Sequence, residues 1–169
     1  MKHRKTAVLL STLIGLGLSP AIGQDRSPST ADAVRSQFAD INRKVLEMAK
    51  DFPEDKYGYQ LKPEMRSFGA VLVHIASGNA YAAKAGRGEK VKWDELDPKN
   101  YATKTAVVAL LEKSIADAGA TMKNLSGESF TRSVEPWLSV IEHSAEHYGL
   151  LVAYFRTNGL TPPESRPRK

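Results

Sequence analysis

Apolar residues recur at three- and four-residue intervals in several long stretches of the chain, the spacing that lines one face of a helix. Val34, Phe38, Ile41, Val45 and Met48 predict a first helix that Thr30 can cap and that ends before Pro53. Pro53, Gly58 and Pro63 then sit among polar residues, so 52–66 reads as a loop. Ser67 can cap a second helix with Phe68, Val71, Leu72, Ile75 and Tyr81 on its apolar face, stopped by Gly86 and Gly88. After a long connection holding Trp93 and Pro98, a third helix runs from about Thr103 to Leu125 with Val107, Leu110, Leu111, Ile115 and Met122 as its stripe. Gly127 ends the connection region that follows. A fourth helix starts near Ser133, where Glu135 and Pro136 suit a first turn, and continues through Val140, Ile141, Leu150, Leu151 and Tyr154 to Asn158-Gly159.

No alternating strand pattern and no internal repeat interrupt this series. The expectation is an all-α four-helix bundle over 30–160 with a long cross-connection. Residues 52–66 and 86–102 are each long enough to cross an end of the bundle, which argues for an irregular topology over an idealised up-and-down one.

The ends of the chain read differently. Met1 to Lys5 is basic, Ala7 to Leu18 is mostly apolar, and Ala21 and Gly23 put small residues before a cut after Gly23. That order is the signature of a secretory signal peptide over 1–23. The apolar run falls short of the roughly 20 residues a spanning helix needs, and Gly15, Gly17 and Ser19 interrupt it. The expected mature chain is periplasmic or secreted, without stable membrane association, and begins with a mobile leader over 24–29. Residues 161–169 form a proline-rich basic tail.

Composition narrows the chemistry. A chain of 169 residues with 41% hydrophobic and 25% charged residues has the balance of one folded domain. The net charge of +5 includes Lys2, Arg4 and Lys5, and removing the signal leaves 21 basic against 19 acidic side chains. With neither a basic recognition helix nor an RNA-binding aromatic signature, nucleic acid is not an expected partner. The absence of cysteine excludes disulfides, thiolate zinc sites and cysteine nucleophiles.

Histidine carries the specific signal. His3 leaves with the signal, and the other three all lie inside predicted helices. His143 and His147 are four residues apart, on one helical face about 6 Å of rise from each other. They share that face with Val140, Leu150, Leu151 and Tyr154, and His74 falls beside Val71 and Ile75 on the apolar side of the second helix. Two helices thus aim three imidazoles inward, a facial arrangement for zinc, nickel or a similar divalent ion with open positions for water or substrate. No fourth protein ligand is evident. The bland alternative for each is a hydrogen-bonded core histidine. A shared ion requires ring nitrogens about 3 to 4 Å apart.

His143-Ser144-Ala145-Glu146-His147 also satisfies the H-x-x-E-H pattern of one class of zinc proteases. Only 22 residues follow His147, and their one carboxylate, Glu164, lies in the tail. The downstream acidic ligand of that class therefore has no source, and the match reads as accidental.

Phe68-Gly69-Ala70-Val71-Leu72-Val73-His74-Ile75-Ala76, Ile141-Glu142-His143-Ser144-Ala145-Glu146-His147-Tyr148-Gly149 and Tyr154-Phe155-Arg156, taken with Pro63 to Ser67 and the Gly159 to Pro163 exit, resemble the DinB-like family in order and spacing over about residues 30–163. The resemblance implies an irregular up-down-down-up bundle, often dimeric, that holds a divalent metal through one histidine of the second helix and an H-x-x-x-H pair of the fourth. Carried over, those ligands are His74, His143 and His147. Characterised relatives include transferases that use low-molecular-weight thiols, and a few hydrolases or isomerases. Such thiols are kept reduced in the cytoplasm, so a secreted member needs another substrate.

Two functions follow. One is a divalent-metal-dependent hydrolase or transferase in which the three histidines activate water or a thiol toward a small-molecule substrate. Tyr81, Glu142, Glu146 and Tyr148 are nearby candidates for auxiliary roles, each with an ordinary role as a core, rim or solvated residue. The other is a non-catalytic bundle that binds a metal or small ligand. A deep cavity over the histidines discriminates between them, and Gly69 and Gly78 leave room either for such a pocket or for close helix packing. Trp137 reads as core or end-cap packing, and Trp93 as a pin for its loop.

Overall fold

A computed structural model describes residues 28–167. The expected signal peptide over 1–23, most of the leader over 24–29, and residues 168 and 169 of the tail lie outside them. Among the described residues there are five α-helices: α1 (Thr30–Asp51), α2 (Phe68–Gly86), α3 (Lys104–Asn124), α4 (Gly127–Arg132) and α5 (Glu135–Thr157). There is no strand among the described residues.

The helix ends follow local chemistry. Ser67 and Thr103 accept from the amides of Ala70 and Ala106 and so start α2 and α3 as the sequence predicts. At α1 the capping side chain is Ser29, one residue ahead of the expected Thr30. A short helix, α4, adds a fifth element where the sequence predicts only a connection. Ser126 caps it, Phe130 drops its ring into the core, and the Arg35 guanidinium lies 5.3 Å over that ring. Six residues hold too few apolar positions for periodicity to reveal a helix.

Helix α2 packs against α3 and α5, and α1 packs against the same two helices. Consecutive helices α1 and α2 thus occupy diagonal positions, and the segment between them crosses the end of the bundle. That crossing is well packed. Phe52 stacks on Phe68 with ring centroids 3.8 Å apart, Phe155 closes from α5, and the Tyr57 hydroxyl donates to the carbonyl of Ala49. Toward the other end, Phe38, Ala82, Ala83, Met122, Phe130, Trp137 and Val140 form a second cluster. Gly86 has a structural reason: a Cβ there would stand 2.3 Å from the Trp137 ring, so only glycine lets the indole bury against α2.

Three polar side chains cross the middle of the bundle. Asn79 of α2 donates to Oδ1 of Asn42 on α1 at 3.0 Å and to the Ser114 hydroxyl of α3 at 3.4 Å, while Asn42 donates to the Phe38 carbonyl. The proline-rich tail docks on α1: Glu164 pairs with Arg43 at 2.7 Å and Arg166 with Asp51.

Candidate metal centre

Because α2 is sandwiched between α3 and α5, its whole middle from Val71 to Asn79 is buried except at His74, which reaches the seam with α5. Facing it across that seam are His143 and His147, one turn apart on α5. The three rings meet with centroids 4.6 to 4.7 Å apart. Nε2 of His143 lies 2.9 Å from Nε2 of His74, and one ligand nitrogen from each of the three lies within 4.8 Å of the others. An ion bound at about 2.0–2.1 Å brings neighbouring nitrogens roughly 3 Å apart, so the closest pair already has the needed separation. The cluster could hold one metal ion.

The electrostatics suit a cation. Burial lowers the pKa of every ring, and their neighbours lower it further: His147 and His74 act on His143, His74 and then Arg66 on His147, and Arg66 on His74. The effect is largest at His143, which is pushed down to about 4. All three imidazoles are therefore neutral near pH 7, each with one unprotonated ring nitrogen, and the 2.9 Å contact between Nε2 of His143 and Nε2 of His74 is a hydrogen bond that a shared ion would replace.

Close approach of the helices is set by Gly78. A Cβ on it would stand 2.8 Å from Nδ1 of His143, so α5 can bring that ring to the seam only opposite a glycine. The same glycine borders a small cavity of about 210 Å³, walled by Tyr81, Trp93, Pro136 and Val140 and ending on His143. Its surface is nearly all apolar. Gly78 thus serves both purposes that the sequence left open, whereas a side chain at Gly69 would press on Tyr57.

The segment after α2 supplies two residues that sequence reasoning did not assign to the site. Trp93, 43% exposed, lies edge-on to His74 and His143 with centroids at 5.6 and 6.1 Å, and its ring is 5.9 Å from that of Tyr81. It covers the histidines as well as pinning its loop. Glu95 places Oε1 3.0 Å from Nδ1 of His74 and accepts from Arg66 on Oε2, also at 3.0 Å. The His74 contact has ion-pair distance but misses the direction of a ring N–H, so it acts through charge. Burial alone would raise the Glu95 carboxyl; its hydrogen bond with Arg66 and the nearby His74 hold it below its usual range. Ser77 fixes the segment, donating to the Val73 carbonyl at 2.9 Å and accepting from the Leu96 amide at 3.1 Å.

Of the auxiliary candidates, Tyr81 alone lines the cavity. Glu142 and Glu146 are exposed on α5, and Tyr148 packs against the aromatic end of the core. No helix among the described residues is long and apolar enough to cross a membrane. Residues 37–156, more than half of the chain, match the family model described as the DinB superfamily. No curated protein matches the chain.

Proposed function

The chain belongs to the DinB superfamily, and from that premise we propose that it is a divalent-metal-dependent hydrolase or transferase acting outside the cytoplasm on a small molecule. One observation carries this reading: three neutral imidazoles from two helices converge within 4.8 Å beside an apolar cavity that ends on one of them. His74, His143 and His147 would hold the ion, zinc or nickel by the nitrogen-only donor set. A divalent ion with open positions lowers the pKa of a bound water or thiol and so supplies a nucleophile near neutral pH.

The chain's own residues do the rest. Tyr81, Trp93, Pro136 and Val140 receive an apolar group of the substrate and exclude water from the His143 side. A recess of about 210 Å³ that is nearly all apolar has room for a single ring with a short substituent. In the neutral state each of the three histidines has one unprotonated ring nitrogen to offer an ion. Export away from reduced cytoplasmic thiols favours water over a thiol as the nucleophile.

One observation favours a non-catalytic metal- or ligand-binding bundle instead. Glu142 and Glu146 point to solvent, and the carboxylate beside the cluster, Glu95, is engaged by Arg66 and His74, which leaves no free general base in contact with the histidines among the described residues.

The deciding experiment begins with the metal content, by plasma mass spectrometry, of untagged chain from Gln24 and of the triple His74→Ala, His143→Ala, His147→Ala variant, both after mild dialysis. Near-stoichiometric metal that disappears in the variant is expected. No metal in either, even after reconstitution with zinc, nickel and manganese, overturns the site. Esters of small aromatic acids then separate the two readings: turnover that is lost in the triple variant supports the enzyme, and saturable binding without turnover supports the binding bundle.

A further inference from the structure

We infer that Glu95, backed by Arg66, is a positioning residue that orients the His74 ring for metal binding and fastens the Trp93 segment over the site. The inference rests on the reading that the three histidines share an ion. Its basis is the way His74 is bracketed. Nε2 faces His143 across the seam at 2.9 Å, and Nδ1, on the other side of the ring, has Glu95 Oε1 3.0 Å away, off the line of a ring N–H. A carboxylate offers only acceptors, and a neutral imidazole carries one N–H. The negative charge of Glu95 beside Nδ1 therefore favours the proton there and leaves the Nε2 lone pair to accept from His143 or to face an ion. Because it stands on the far side of the ring, Glu95 acts on the ion through His74 and is not a fourth ligand.

Its own place is fixed from two directions. Arg66 holds the second carboxylate oxygen at 3.0 Å, and the Arg66 carbonyl accepts from the Tyr154 hydroxyl of α5, so the guanidinium springs from a backbone tied to the helix that carries His143 and His147. One residue beyond Glu95, the Leu96 amide donates to Ser77, a residue three positions after His74 on α2. Two residues before Glu95, Trp93 lies across His74 and His143 and walls the apolar cavity. One carboxylate thus links the state of a metal ligand to the seating of the aromatic wall. A link between two sites is reciprocal in binding free energy, so whatever strengthens metal binding also seats the wall.

The test uses the full chain from Gln24 with zinc as the probe. Zinc affinity is measured by competition with a chromogenic chelator for the unaltered protein, Glu95→Ala, Glu95→Gln and His143→Ala, with far-ultraviolet circular dichroism confirming the fold of each. Long-range nitrogen–proton spectra of the imidazoles, taken without zinc, identify which nitrogen of His74 is protonated. Glu95→Ala is expected to weaken zinc by about 10–100-fold and to shift the His74 proton from Nδ1 toward Nε2. Glu95→Gln, which keeps an acceptor, should lose less affinity and retain the Nδ1 proton. Zinc affinity within about twofold of the unaltered protein in Glu95→Ala, or His74 protonated on Nε2 in the unaltered protein, overturns the inference. If His143→Ala loses zinc while Glu95→Ala keeps it, the role of Glu95 alone falls. If the unaltered protein takes up no zinc, the shared-ion reading falls and this inference with it.

Discussion

Helix α2 carries two polar clusters five residues apart, and they are built on opposite principles. Around Asn79 the groups close on one another: its amide donates to Asn42 and to Ser114, Asn42 donates to the Phe38 carbonyl, and Ser114 donates to the Leu111 carbonyl, with Asn79 Oδ1 alone unmatched. Three helices are thereby pinned in register at the centre of the bundle. Around His74 the groups converge and close only in part, through the hydrogen bond between Nε2 of His143 and Nε2 of His74 at 2.9 Å. Three imidazoles turn nitrogens toward a common point, Nδ1 of His143 has no partner, and Glu95 answers Nδ1 of His74 by charge alone. A polar cluster that satisfies itself specifies structure. One whose members offer the same kind of atom to the same point has capacity left over, and a cation is what would use it.

The sharpest way to break this contrast is to truncate one member of each cluster. His143→Ala should remove nearly all bound zinc after dialysis while leaving the metal-free protein at least as resistant to heat, since it deletes a half-buried imidazole with an unpaired nitrogen; elemental analysis and thermal melts check the pair of outcomes. Asn79→Ala should do the reverse. It strands the Asn42 carbonyl oxygen in the core and should cost about 1–3 kcal/mol in urea unfolding, with zinc stoichiometry unchanged.

The gentlest expected effect is one of pH. The three histidines sit below the ordinary value of 6.5 in the folded chain, His143 at about 4, so between those limits the unfolded chain binds more protons than the folded one. The stability of the metal-free protein should therefore be full above about pH 6.5 and fall as the pH drops toward 4. Asparagine does not titrate. Asn79→Ala should lie parallel to the unaltered protein across that range, and the triple histidine variant should flatten the curve, as denaturant titrations at successive pH values would show.

How much of this was legible beforehand depended on whether a residue's role was local. The long helices announced themselves by apolar spacing, and Ser67 and Thr103 by their place ahead of it. His74, His143 and His147 stood out because each interrupts an apolar stripe, so helical geometry alone carried them inward. Glu95 and Trp93 had no such signal. They lie in a stretch without periodicity, and their positions depend on the pairing of Glu95 with Arg66, 29 residues away in sequence, and of the neighbouring Leu96 amide with Ser77, 19 residues away. Asn42 and Asn79 were hidden for a related reason: an asparagine is expected at the surface, and only the diagonal placement of α1 and α2 makes two of them meet inside. The short α4 depends on Phe130 finding the core, again a tertiary event.

Gly78 gives this site a genetic vulnerability of a kind that a list of ligands would miss. One added carbon there lands 2.8 Å from a ligand ring, and for glycine a single nucleotide change is enough to add it. A descendant of this sequence could keep all three histidines, in the same helices and at the same spacing, and still have its site wedged open by alanine at one silent-looking position. Retention of the motif is therefore a weaker guide to retained metal binding than the motif together with that glycine.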